Sequence, residues 1–202
     1  MELERLAEDG NVMPLSALFS ASGKGATDAV IMSGGGPFAP GAIETMTIML
    51  DSEDLQARYF SFGSMVIPSN DAFIGNDNPT AYQVFDGGGN FLGVDFFVTG
   101  SEILDAGTEE NTEIPEQTAF FGQTVPDTGI PEGGVVHSHP GYLGSLGNPG
   151  DPSILADPMF MGADFTIPGY PVARITLTAV PAPGAIALLG LAGLIGLRRR
   201  RR

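Results

Sequence analysis

The chain has 202 residues, 29 of them Gly and 16 Pro, with no Trp and no Cys, which leaves room for one good core plus appendages. Without cysteine it has no thiolate zinc site, disulfide or thiol nucleophile, although this leaves the compartment open. Net charge is −15, but five of the nine basic residues lie at 198–202, so residues 1–197 carry 4 − 24 = −20, a body that repels nucleic acid and anionic membrane and favours cations.

The chain opens MELERLAEDG, acidic and without an apolar signal region. Short helical segments are predicted over residues 3–7 and 15–19, ending in Gly/Ser-rich sequence. Residues 43–50 put Met46, Ile48 and Leu50 on one face at period two, and residues 58–67 do the same with Phe60, Phe62, Ser64 and Val66. Next, AYQVF and FLGVDFFVTG flank DGGGN, a hairpin-type turn. Residues 172–180 set Ala173, Ile175, Leu177 and Ala179 against Arg174, Thr176 and Thr178. Alternating strands between Gly/Pro/Asn/Asp turns predict an all-β fold, an antiparallel β-sandwich. SGGGP at 33–37 lacks the Lys-Ser/Thr of a phosphate loop and reads as an ordinary loop.

Residues 180–202 read VPAPGAIALLGLAGLIGLRRRRR. Val180, Pro181 and Pro183 end the preceding strand, and residues 184–197 are unbroken apolar or Gly. As a helix that stretch spans about 21 Å, short of the ~30 Å hydrocarbon core. Arg198, Arg199 and the three arginines after them can snorkel at its cytoplasmic end. This tail resembles the PEP-CTERM sorting signal of Gram-negative bacteria, with VPAP in place of the commoner VPEP. The resemblance implies transient inner-membrane anchoring through residues 184–197, processing by an exosortase-type protease, and delivery to the cell envelope or exopolysaccharide. Export also needs an N-terminal signal, so coding sequence upstream of Met1 is expected.

Three stretches carry a second resemblance: MVIPSNDAFIGNDNP (65–79), ILDAGTEEN (103–111) and YPVARITL (170–177). They look like the spondin-N domain of F-spondin, mindin and bacterial exported proteins, in order over most of residues 2–179. That implies a β-sandwich related to calcium- and lipid-binding domains, with 1–179 as the domain and 180–202 as the tail. Asp71 follows IPSN at a strand end, and Asp105 opens a tight Asp-Ala-Gly-Thr turn. By the resemblance both match calcium ligands of the family, whose upstream Glu has its counterpart at Glu53, with Asp51 also permitted by spacing. Read from the residues alone, the alternative for Asp71 and Asp105 is turn-capping by their carboxylates. Glu109, Glu110, Asp77 and Asn78 read as solvated turn residues.

A competing pattern runs HSHPGYLGSLGNPGD, residues 137–151. His137, His139, Pro140 and Asp151 fall in register with JAMM zinc metallohydrolases, but Asn148 stands where that pattern has serine. The Gly/Pro-rich segment is also unsuited to the helix those enzymes use. In the sandwich reading GGVVHSHPGY is a short strand ending in a loop, one histidine pointing each way. Ser138 between the histidines is badly placed for a nucleophile–base pair, and no carboxylate pair is singled out for glycoside hydrolysis. The sequence therefore leads to a non-enzymatic, calcium-binding adhesion or matrix module whose partner is an exopolysaccharide or an envelope or matrix protein. The zinc hydrolase is the alternative.

Overall fold

A computed structural model describes residues 1–34, 36–145 and 153–180. The chain begins with α1 (Glu2–Asp9) and α2 (Met13–Ser22). Leu3, Leu6 and Ala7 recur at helical spacing, so α1 buries one stripe, with Leu6 1% and Ala7 0% exposed. Gly10 ends it in the left-handed conformation, φ 67°, and the Asn11 N–H closes on the Arg5 carbonyl at 2.8 Å. α2 carries Pro14 in its first turn and buries none of its residues.

The strands are short and antiparallel. The run at 58–67 bends into β1 (Tyr59–Phe60) and β2 (Gly63–Met65); β3 is Ala72–Gly75 and β4 Tyr82–Gln83. β5 (Val94–Thr99), β6 (Leu104–Asp105), β7 (His137–Ser138) and β8 (Pro171–Leu177) follow. They form a four-stranded sheet β2-β3-β6-β7 and two ribbons, β1-β4 and β5-β8. Asp86 shapes the 86–90 turn: its Oδ1 accepts the N–H groups of Gly88 and Asn90 at 2.8 and 2.9 Å. In β8 Val172, Ala173, Ile175 and Leu177 are half-buried while Arg174 and Thr176 are exposed. Residues 43–50 form no strand: Met46 and Ile48 are exposed, and only Leu50 reaches a small core around Ala57, Val84 and Phe85.

The main core joins Ala72 and Ile74 of β3, Val98 of β5, Ile103, Tyr142, Ile154 and Phe165. Phe62, Val66, Phe96 and Ile175 pack on it. A smaller cluster sets Ala7 of α1 on Phe73 of β3 and Ala106, just past β6, so the helix covers that end of the sheet. No helix among the described residues is long and apolar enough to cross a membrane. The apolar helix expected over 184–197 lies outside the described residues, as do Pro181, Pro183, Arg198, Arg199, Asn148 and Asp151. Val180 is described and exposed.

Candidate metal centre

Register places the first carboxylates. β3 pairs with β6 through Ala72 opposite Asp105, and the Ala106 N–H donates to the Asp71 carbonyl at 3.2 Å. Asp71 and Asp105 are thus brought side by side, each fully buried. The Asp-Ala-Gly-Thr turn then folds back over Asp71. Its Oδ2 accepts the Thr108 N–H at 2.8 Å, the Thr108 hydroxyl at 3.2 Å and the Glu109 N–H at 3.1 Å. Its Oδ1 is buried with no hydrogen-bond partner. Burial pushes the Asp71 carboxyl above its usual range and Asp105 adds repulsion, while the turn's N–H groups act the other way.

Asp105 makes its own turn. Its Oδ1 accepts the Gly107 N–H at 2.7 Å, and its Oδ2 accepts the Asn111 amide at 2.5 Å. Gly107 has φ +68°, and a Cβ there would lie 2.6 Å from the Val135 nitrogen, so the turn requires glycine.

Glu109 departs from the solvated turn residue expected of it, being 4% exposed. One oxygen accepts the Gly129 N–H at 2.8 Å; Oε2 has no partner. Burial, with Asp71 adding repulsion, pushes its carboxyl up to about 7. Glu8 reaches the same region from α1, 2% exposed, with Oε2 also unpartnered. Burial pushes it up to about 8, with the nearby Glu109 charge adding and the Thr108 hydroxyl opposing. Unpaired charges are expensive to bury, so such a group must take up protons or a cation. Sequence reasoning missed Glu8 and Glu109. The spacing of Asp105 and Glu109 across one turn was a signal for the second; nothing in the sequence places Glu8 opposite it.

Glu53 does not join this group. It is exposed, its N–H donates to Asp51 Oδ1 at 2.9 Å, and no hydrogen bond or ion pair links it or Asp51 to Asp71 or Asp105 among the described residues. Glu113 is buried but fully engaged: it accepts the N–H groups of Leu143 and Ile154 and braces the loops beside Tyr142. Asp71, Asp105 and Glu109 are more widely spread than Glu4, Glu8 and Asp127. The latter trio offers one oxygen each, all within 4.8 Å of one another.

The histidines sit at the rim. His137 is exposed; its Nδ1 donates to the Val135 carbonyl at 3.0 Å and lies 3.8 Å from Asp105 Oδ1, and both contacts raise its pKa. His139 packs edge-on against Phe165 and Tyr142, and burial lowers its pKa to about 4. Its Nε2 meets Asn111 Oδ1 at 3.1 Å, and its Nδ1 accepts the Gly141 N–H at 3.1 Å. Because the Asn111 amide nitrogen is spent on Asp105, this network assigns the Nε2–H tautomer. Both His139 nitrogens are then occupied, and a zinc ion there would have to break one of these bonds.

Compared with protein-family models, curated proteins and solved structures, the chain matches none of them.

Proposed function

We propose that the chain is a non-enzymatic, calcium-dependent module of the spondin-N type, exported and delivered to the cell envelope or exopolysaccharide by its C-terminal tail. The observation that carries the reading is the buried, unpartnered Asp71 Oδ1, together with a second buried, unpartnered carboxylate oxygen, Glu109 Oε2. Calcium takes six to eight oxygens in flexible geometry and readily adds carbonyls and water, whereas zinc prefers nitrogen and sulfur. Asp71, Asp105 and Glu109 are the residues that would hold it, Glu109 replacing Glu53 as the third carboxylate. Their oxygens would have to close in around the ion, which calcium's flexible shell tolerates. A sandwich is supported by the core that β3 of the four-stranded sheet shares with β5 of the β5-β8 ribbon. In this reading the ion fixes the Asp105 turn and the surface around it, which meets a polysaccharide or matrix protein.

Extracellular calcium modules bind with constants on the order of 10⁻⁴–10⁻³ M. At about 10 mM calcium, linkage adds roughly 1.4–2.7 kcal/mol of stability, or on the order of 3–10 °C in melting temperature. Asp71→Asn and Glu109→Gln are expected to lose the share of the rise that this site supplies, and Glu53→Gln to keep it. A melting curve indifferent to calcium but responsive to zinc would sink the proposal.

A further inference from the structure

We infer that Glu4, Glu8 and Asp127 form a second site for a hard divalent cation, which fastens α1 to the loop carrying Asp127. The proposal does not rest on the Asp71–Asp105 reading, because its ligands are different residues.

Glu4 and Glu8 are four apart and share one face of α1. Asp127 arrives from a loop more than a hundred residues later, and one oxygen from each of the three lies within 4.8 Å of the others. An acidic cluster alone would mean little. Here the central member is 2% exposed and its Oε2 is buried without any hydrogen-bond donor. The flanking charges do not satisfy it. Arg5 lies 2.9 Å from Asp9 and 3.7 Å from Asp127, and the Met1 ammonium meets Glu4, but no ion pair reaches Glu8 among the described residues. Asp127 is exposed and Glu4 partly so, leaving room for water to complete a shell of six or more oxygens. Three carboxylates, one of them buried, with water for the remainder suit calcium better than zinc.

The test uses the full chain and calcium alone. Equilibrium dialysis is expected to give one calcium ion more per chain for the wild type than for the Glu4→Gln/Asp127→Asn double variant. Both positions reach solvent, so the isosteric amides leave the core alone. Hydrogen exchange gives an independent readout. At about 10 mM calcium the α1 amides should slow by roughly 10–100-fold in the wild type, the factor that a constant of 10⁻⁴–10⁻³ M supplies. The slowing should persist in Asp71→Asn and vanish in Glu4→Gln/Asp127→Asn. Unchanged calcium stoichiometry in the double variant, or α1 exchange indifferent to calcium in the wild type, would overturn the assignment.

Discussion

Glu8 and Glu109 set the pH response of the metal-free chain. Their folded-state values, about 8 and about 7, lie above the ordinary 4.5 of a glutamate. The folded state therefore binds more protons than the unfolded one across that interval, and stability falls as pH rises through it. His139 acts in the opposite sense: held at about 4, it costs stability as pH drops below the ordinary 6.5. Between pH 6.5 and 8 His139 is silent and the raised His137 acts in the same direction as the carboxylates, so the melting temperature without calcium is expected to fall across that window. Saturating calcium should flatten the slope. Scanning calorimetry in a buffer series checks both, and a metal-free melting temperature rising from 6.5 to 8 would remove the two glutamates as its source. Asp71 and Asp105 were legible as turn carboxylates because Ser-Asn-Asp and Asp-Ala-Gly-Thr are local signals. The burial of Glu109 was not, because it depends on Gly129, twenty residues on, approaching closely enough to donate its N–H.

Among the elements, the β5-β8 ribbon was the most legible, since alternation over 172–180 reports one dry face directly. Its outer face shows how little an exposed pair contributes. Arg174 grips Asp95 with bonds of 2.8 and 2.7 Å and lies over the Phe97 ring, yet both charged groups are half open to water. Asp95→Ala is expected to cost no more than about 1 kcal/mol. Ile103→Ala, 1% exposed in the main core, should cost about 2–5 kcal/mol. Urea denaturation of the two variants checks the ordering. Residues 43–50 carry the same alternation but form no strand, for a physical reason: periodicity describes a face, while a strand needs a neighbouring edge. No sheet edge is paired to this stretch, and its side chains stay largely outside the cores. α1 extends beyond its expected span because Gly10, not the apolar run, sets where it stops.

For the whole molecule, charge is distributed in two blocks. Residues 1–197 carry −20 and the last five carry +5. The proposed sorting role makes the arginines a topological stop, since the apolar stretch before them is too short to anchor firmly by itself. Serine at all five positions, 198–202, is expected to leave processing defective, seen by fractionating a tagged protein. Unchanged processing and localisation would show that the tail is not read as a signal. The class of fold, strands in antiparallel sheets with two short helices, was legible from turn chemistry and alternation. The grouping of strands into one sheet and two ribbons was not, because the pairs β6-β7 and β5-β8 close long loops that leave no local trace in the sequence.

The position of α1 over the carboxylates has one more consequence. Leu6 and Ala7 hold the helix down by their buried stripe, while Glu8 next to them is repelled by Glu109. The helix's grip therefore follows the composition of the surrounding water as well as the packing of its apolar stripe. Where divalent ions are scarce, the N-terminal turns should be the first part of the molecule to loosen. Where ions are plentiful, the same turns should hold as firmly as the sheet beneath them. The protein would then stiffen on passing from one medium to the other with no change in its sequence or its partners.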